Sequence, residues 1–187
     1  MALASGSGST LQAILDDPEL GRLVVAAGTD VPSCQAMERA RTAGVPTFGH
    51  ALADYPDRPA WNAALADTIA GFEPDLVVLA GFMRVLAPEV VGRFRIVNTH
   101  PALLPAFPGA HAIRDALAAG VSETGVTVHW VDEGVDTGPI IAQQPVPVLA
   151  GDDEDSLRVR IQAAEKPLYV HAIRQLCTIP TESMESQ

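Results

Sequence analysis

The sequence predicts an α/β fold: a mostly parallel sheet with helices on both faces and an antiparallel pair of strands at one edge. Three observations predict it. Short apolar runs alternate with amphipathic stretches through the first half of the chain, as successive strand–helix units require. The run Asp75–Ala80 (DLVVLA) is apolar without alternation, as in a strand covered on both faces. Two late apolar runs, Thr124–Val131 and Ile140–Val148, are joined by a short Gly- and Asp-rich connection, which suits an antiparallel pair.

The elements follow in order. Met1–Ala4 reads as the end of a strand, and Ser9–Leu15 as a helix with Ser9 or Thr10 near its cap. Leu23–Ala27 is a β-rich run, Cys34–Ala43 has helical spacing, and a short strand follows near Val45–Phe48. Trp61–Ile69 again carries apolar residues at helical spacing, and Arg95–Thr99 is a second short strand-like run. Ile113–Ala119 reads as a helix closed by Gly120, and Asp153–Leu176 as a long final helix whose leading carboxylates complement its dipole. No repeat or low-complexity linker interrupts the chain, so residues 1–177 are expected to form one domain and 178–187 a polar tail. The order is that of a Rossmann-like sheet, in which ligands bind beyond the carboxyl ends of the strands. Ser5–Thr10, Phe82–Leu86, His100–Pro105 and Asp132–Asp136 are therefore the candidate site segments.

Composition narrows the function classes. The chain has 187 residues, 48% hydrophobic and 19% charged, enough to bury a core. A formal net charge of −11 disfavours a general nucleic-acid binder, which needs a basic surface. Small anions remain accessible to Arg58, Arg84 and helix N-termini. Cys34 and Cys177 lack CxxC spacing and read as reduced thiols. The first ten residues, MALASGSGST, have no basic region followed by an apolar one. No apolar run approaches the roughly 18 residues that span a bilayer. The expectation is a cytoplasmic protein without membrane contact. Oligomeric state stays open, a homodimer being one arrangement the sequence allows.

Four motifs carry chemistry. Ser5-Gly6-Ser7-Gly8-Ser9-Thr10 lies between a strand and a helix, where glycines and unused helix N–H groups can cradle a phosphate. It can equally be a plain tight turn, and it matches neither the Walker loop nor GxGxxG. Asn98-Thr99-His100-Pro101 puts an amide and an imidazole two residues apart at a strand end, on one face. Such a pair can stabilise an oxyanion and move a proton, although a structural histidine fits the spacing as well. Asp132-Glu133-Gly134-Val135-Asp136-Thr137-Gly138-Pro139 reads as a metal loop without EF-hand spacing, as a solvated hairpin loop, or as the source of a carboxylate, Asp136, that orients His100. Gly81-Phe82-Met83-Arg84-Val85-Leu86 can line a pocket for a flat heterocycle or form the first turn of a helix. His50, His111, His129 and His171 are scattered without HExxH spacing, and no metal site is expected.

These four segments, in this order, resemble the phosphoribosylglycinamide formyltransferase family, the folate-dependent step of purine synthesis. The similarity runs from Ser5 to about Tyr169 and rests on NTHPALLPAFPG at Asn98–Gly109, AGFMRVL at Ala80–Leu86 and GVTVHWVDEGVDTGP at Gly125–Pro139. The resemblance implies a formyltransferase fold and transfer of the formyl group of 10-formyltetrahydrofolate, a cosubstrate, to the amine of glycinamide ribonucleotide. It implies Asn98, His100 and Asp136 as the catalytic group. It implies Gly8, Ser9 and Thr10 with Gln162 and Glu165 for the ribonucleotide. It implies Arg58, Met83, Arg84, Val85 and Leu86, with Asn98 and Asp132, Glu133, Gly134, Val135 and Asp136, for the folate. The implied mechanism is direct: the amine attacks the formyl carbon, Asn98 and protonated His100 stabilise the oxyanion, and Asp136 holds His100. A formyltetrahydrofolate hydrolase and an inactive folate- or nucleotide-binding relic are the alternatives. The sequence departs from the family pattern in four places, one of them the polar Thr178–Gln187 stretch where a C-terminal hairpin is usual. Thr10 stands where Asn is frequent. Only Ala2-Leu3-Ala4 represent the first strand, which removes buried apolar area expected to matter for stability. The Val90–Val97 segment is a few residues shorter.

Overall fold

Val77 and Leu79 face one side of a sheet and Val78 faces the other, and helices cover both sides. The computed structural model describes residues 1–178. Its seven strands are β1 (Ala2–Leu3), β2 (Ala27–Thr29), β3 (Thr47–Gly49), β4 (Val77–Leu79), β5 (Ile96–His100), β6 (Glu123–Trp130) and β7 (Ile140–Pro147). The helices are α1 (Ser9–Asp16), α2 (Gln35–Thr42), α3 (Arg58–Gly71), α4 (Pro88–Val91), α5 (Ala112–Ala118) and α6 (Glu154–Thr178). The strand order is β3-β2-β1-β4-β5-β6-β7. Pairing is parallel from β3 to β5 and antiparallel at β5–β6 and β6–β7. The expected mostly parallel sheet with an antiparallel edge is therefore present, and the antiparallel run begins one pairing earlier than the edge pair itself.

The core is two-sided because the strands are. Ala2, Ala27, Val78, Val97 and Val128 pack under α1, α2 and α6. Leu3, Val77, Leu79 and Ile96 pack under α3 and α4, with Trp61 fully buried. β1 is only two residues long, yet it sits between β2 and β4 with Ala2, Leu3 and Ala4 all buried. β4 and β5 pair in continuous parallel register, with Leu79 beside Asn98.

Three expectations are corrected. Leu23–Ala27 is not one strand: Gly21–Leu23 forms a 3₁₀ turn and β2 starts at Ala27. Leu23 and Val25 are exposed, so their apolar character does not mark a ladder. Gly81–Leu86 is a loop rather than a helix turn, and α4 starts only at Pro88, a residue suited to the first helical turn. The residue capping α1 is Gly8, not Ser9 or Thr10. Gly8 has φ 71°, and a Cβ there would lie 2.6 Å from Ala36 Cα, so both conformation and the close approach of α2 demand glycine. At the other end, Asp153 and Ser156 exchange hydrogen bonds of 3.0 and 2.8 Å across the first turn of α6. The polar tail expected from Thr178 onward lies, after Thr178 itself, outside the described residues. Among the described residues no helix is long and apolar enough to cross a membrane.

Tyr169 ties α6 to the sheet directly above the site. It is fully buried, and its hydroxyl donates towards Val97 O at 2.9 Å and Leu79 O at 3.2 Å, on adjacent strands. Burial pushes the phenol well above its ordinary pKa. Tyr169→Phe is expected to cost about 1–2 kcal/mol in urea denaturation. An unchanged midpoint would mean the hydroxyl contributes nothing to holding α6.

Candidate active site

Strand ends converge where the sheet order reverses between β1 and β4, and a cleft of about 490 Å³ opens there. Its floor is the Gly6–Thr10 turn at one end, the Gly81–Leu86 loop at the other, and β5 between them. The β6–β7 connection and one face of α6 complete the walls.

The turn is built to receive an anion. Gln12 N donates to Gly8 O at 2.8 Å, which leaves the amides of Ser9, Thr10 and Leu11 unused by the helix. No carboxylate occupies the first turn of α1. Arg39 Nε donates to Ser7 O at 2.8 Å and Ala36 N to Gly6 O at 3.1 Å, so these carbonyls are tied back to α2. Thr10 Oγ1 donates to Glu165 Oε1 at 3.0 Å. Burial raises the Glu165 pKa, against the lowering by hydrogen bonds from Thr10 and Thr99. The mild departure at Thr10 thus has a specific partner on α6.

The opposite end is apolar. Met83 and Val85 are 75% and 65% exposed, and with buried Leu86 they form a greasy rim. Val135, also exposed, lies across from them on the β6–β7 connection.

His100 lies between these halves, 3% exposed, at the last position of β5. Its Nε2 faces Phe107 O at 2.7 Å, and its Nδ1 faces Asp136 Oδ2 at 3.2 Å. Both partners are acceptors, so the two contacts are complete when each ring nitrogen carries a proton. Asp136 Oδ2 also accepts from the Gly109 amide at 2.8 Å. The Asp136 carboxyl is held below its ordinary pKa, first by His129 and then by the Gly109 amide and His100, while burial opposes them. Asp136 and Phe107 both have left-handed backbones, with φ of 56° and 54°. Such conformations cost of order 1–3 kcal/mol in a residue with a side chain and persist where surrounding contacts impose them.

The loop after His100 is pinned from β6 and β7. Thr127 Oγ1 donates to Ala102 O at 2.7 Å and accepts from Leu104 N at 3.0 Å, and Gln143 Nε2 donates to Leu104 O at 2.9 Å. Antiparallel pairing places Asn98 opposite His129. His129 Nε2 is 3.5 Å from Asn98 Nδ2 and 3.6 Å from Asp136 Oδ1. A register shift at Val128/His129 marks the place where β6 turns towards the loop. Gly138 closes that loop: a Cβ there would lie 1.8 Å from Trp130 O. Asp132 Oδ1 accepts from Gly134 N at 3.1 Å and Thr137 Oγ1 at 2.7 Å, which shapes the tip.

The structure brings together Gly8, Ser9, Thr10, Met83, Arg84, Val85, Leu86, Asn98, His100, Asp132, Gly134, Val135, Asp136, Gln162 and Glu165 around this cleft. Two expected residues stand outside its wall. Arg58 donates to Val85 O and lies 4.4 Å over the Trp61 ring, so it supports the apolar loop from behind. Glu133 points to solvent at the loop tip. Sequence reasoning missed His129, whose position opposite Asn98 depends on a register that no local pattern reveals. It also missed Arg158, which shares a helix face with Gln162 and Glu165 at spacings of four and seven, a signal that was readable. Among the described residues no group of three His, Cys, Asp or Glu side chains is arranged to hold a metal ion.

Comparison with known proteins gives this geometry a family. Residues 1–173 match the family model described as formyl transferase. The chain is 55% identical to a phosphoribosylglycinamide formyltransferase of Mycobacterium tuberculosis, over 95% of this chain and 84% of that one. It is 41% identical to the Escherichia coli protein of the same name, over 90% and 82%. The crystal structure of glycinamide ribonucleotide transformylase 1 from Symbiobacterium toebii superimposes with a TM-score of 0.89 at 48% identity, covering 94% of this chain and 85% of that one. With sequence, fold and cleft in agreement, this chain belongs to the phosphoribosylglycinamide formyltransferase family.

Proposed function

We propose that this chain transfers the formyl group of 10-formyltetrahydrofolate to the amine of glycinamide ribonucleotide in purine synthesis. The observation that carries the reading is His100, held between two acceptors midway between an anion-receiving turn and an apolar loop. The unused amides of Ser9 and Thr10 suit the ribonucleotide phosphate, and Gln162 and Glu165 flank its sugar. Met83, Val85 and Leu86 offer apolar walls to the pterin, with Val135 opposite. Arg58 acts on that half through the Val85 carbonyl rather than by contact.

The chemistry needs orientation and charge stabilisation. The amine bonds to the formyl carbon, the bond from that carbon to folate N10 breaks, and one proton passes in net from amine to N10. Asn98 Nδ2 and the His100 Nε2–H, turned from its resting contact with the Phe107 carbonyl, answer the negative charge that develops on the formyl oxygen, while Nδ1 stays on Asp136. Asp136 keeps the imidazole turned for that task. Holding both substrates in one cleft removes much of the entropic barrier.

The assay mixes the protein with 10-formyltetrahydrofolate, with and without glycinamide ribonucleotide, and follows deformylated folate. Amine-dependent production is expected. Amine-independent production would instead make the protein a hydrolase, and folate binding without turnover would make it a relic. His100→Ala is expected to lower kcat about 10²–10⁴-fold while the circular dichroism spectrum persists. Near-wild-type turnover would remove His100 from the mechanism.

Asp136 adds a pH dependence. Its pKa is depressed below the ordinary 3.8, so its contribution to stability is present in full above about pH 4 and is lost as pH falls through the folded value. The stability gap between wild type and Asp136→Asn in urea should narrow as pH falls below about 4. A gap that does not change with acidity would contradict this placement of the charge.

A further inference from the structure

A second tier of polar contacts lies behind the cleft and joins its two halves. Asp30 follows β2 directly, at the edge of the sheet where β1 runs into the anion-receiving turn and β4 into the apolar loop. Its side chain is 1% exposed and forms no part of the cleft wall. One carboxylate oxygen accepts from the Ser5 hydroxyl, at the head of the turn. The other accepts from Arg84 Nε at 2.7 Å, in the loop. Ser5 Oγ itself accepts from the Met83 amide at 2.9 Å, and the Ser5 amide donates to Gly81 O at 3.1 Å.

An ion pair between a buried carboxylate and a half-exposed guanidinium is weak as a source of stability, because desolvation and solvent screening offset most of the attraction. Its position gives it a different use. Residues 81–87 have no helix or strand hydrogen bonds to fix them, and Met83 and Val85 are largely exposed. Without the Asp30–Ser5–Met83 and Asp30–Arg84 links, that loop could slide against the turn. A charge-assisted bond at Nε also fixes the plane of the Arg84 guanidinium, which remains 42% exposed at the cleft.

We propose that Asp30 is a positioning residue: it locks the turn and the loop into one unit, so that the formyl donor held by one meets the amine held by the other at a fixed spacing. This rests on the assignment of the two halves to the two substrates given above. Misplacement by about 1 Å in such a reaction costs roughly 10²-fold in rate, so a rigid splice between the loops has a direct effect on turnover.

The test uses the full chain and steady-state kinetics with each substrate varied. Asp30→Asn keeps the shape and an acceptor for Ser5, but sets an amide against the Arg84 guanidinium. The kcat/KM for 10-formyltetrahydrofolate is expected to fall about tenfold, with the KM for glycinamide ribonucleotide near its wild-type value. Arg84→Ala removes the ion pair together with a cleft-lining side chain, and because the two changes share that ion pair the double variant should lose less than the sum of the two single losses. Calorimetric titration with tetrahydrofolate should follow the same pattern without turnover. A merely structural Asp30 would lower the melting temperature and leave these constants unchanged. Wild-type constants in Asp30→Asn, or additive losses in the double variant, overturn the proposal. If Asp30→Asn does not fold, Ser5→Ala carries the test: it should weaken the formyl donor by cutting the Met83 link, and wild-type constants there overturn the proposal equally. A wild-type chain without activity overturns the functional reading and this proposal together, whereas an active wild type with an unaltered Asp30→Asn overturns this proposal alone.

Discussion

The contact between the His100 imidazole and the Asp136 carboxylate is the constraint on which the site depends. Its two halves come from distant parts of the chain, a parallel strand and the connection of an antiparallel pair. They meet because β6 runs back along β5 with Asn98 opposite His129 and His100 opposite Thr127. β6 itself ends at the level of Val97, away from the imidazole, and the β6–β7 connection folds back to bring Asp136 onto His100. Left-handed backbones at Asp136 and Phe107 turn a carboxylate and a carbonyl onto the two sides of one ring. That conformational cost falls on the two residues that contact the His100 ring.

The surrounding fold separates polarity along the cleft. At one end a glycine-shaped turn presents helix amides, and its carbonyls are tied back towards α2. At the other end a loop without regular structure presents apolar side chains, supported from behind by Arg58 over Trp61. The imidazole lies at the boundary. In the proposed function, a substrate with a phosphate and a substrate with a flat ring take opposite ends, with their reactive groups in the middle. Arrangement of this kind contributes through orientation, without any covalent step by the protein.

Much of this was legible in the residues. DLVVLA announces a strand buried on both faces, and β4 is that strand, with Val77 and Leu79 in one core and Val78 in the other. Asn98 and His100, alternate residues of β5, both line the cleft, as period-two spacing suggests. Leu23–Ala27 misled because an apolar run records composition, not pairing, and Leu23 and Val25 face solvent. His129 was illegible because strand register is a tertiary fact, set by how β6 lies on β5. The roles of Arg58 and Asp30 were hidden for a related reason: each acts on the cleft through another residue, and sequence motifs mark what touches a ligand more readily than what holds the wall in place.

The most direct test of this account is a crystal structure of the protein with tetrahydrofolate and glycinamide ribonucleotide bound together. The account predicts the phosphate on the amides of Ser9 and Thr10, the pterin between the Met83–Leu86 loop and Val135, and the folate N10 and the amine within reach of Asn98 and His100, with Asp136 still on the imidazole. Both ligands elsewhere, or an imidazole swung away from Asp136 with the amine beyond its reach, would contradict it.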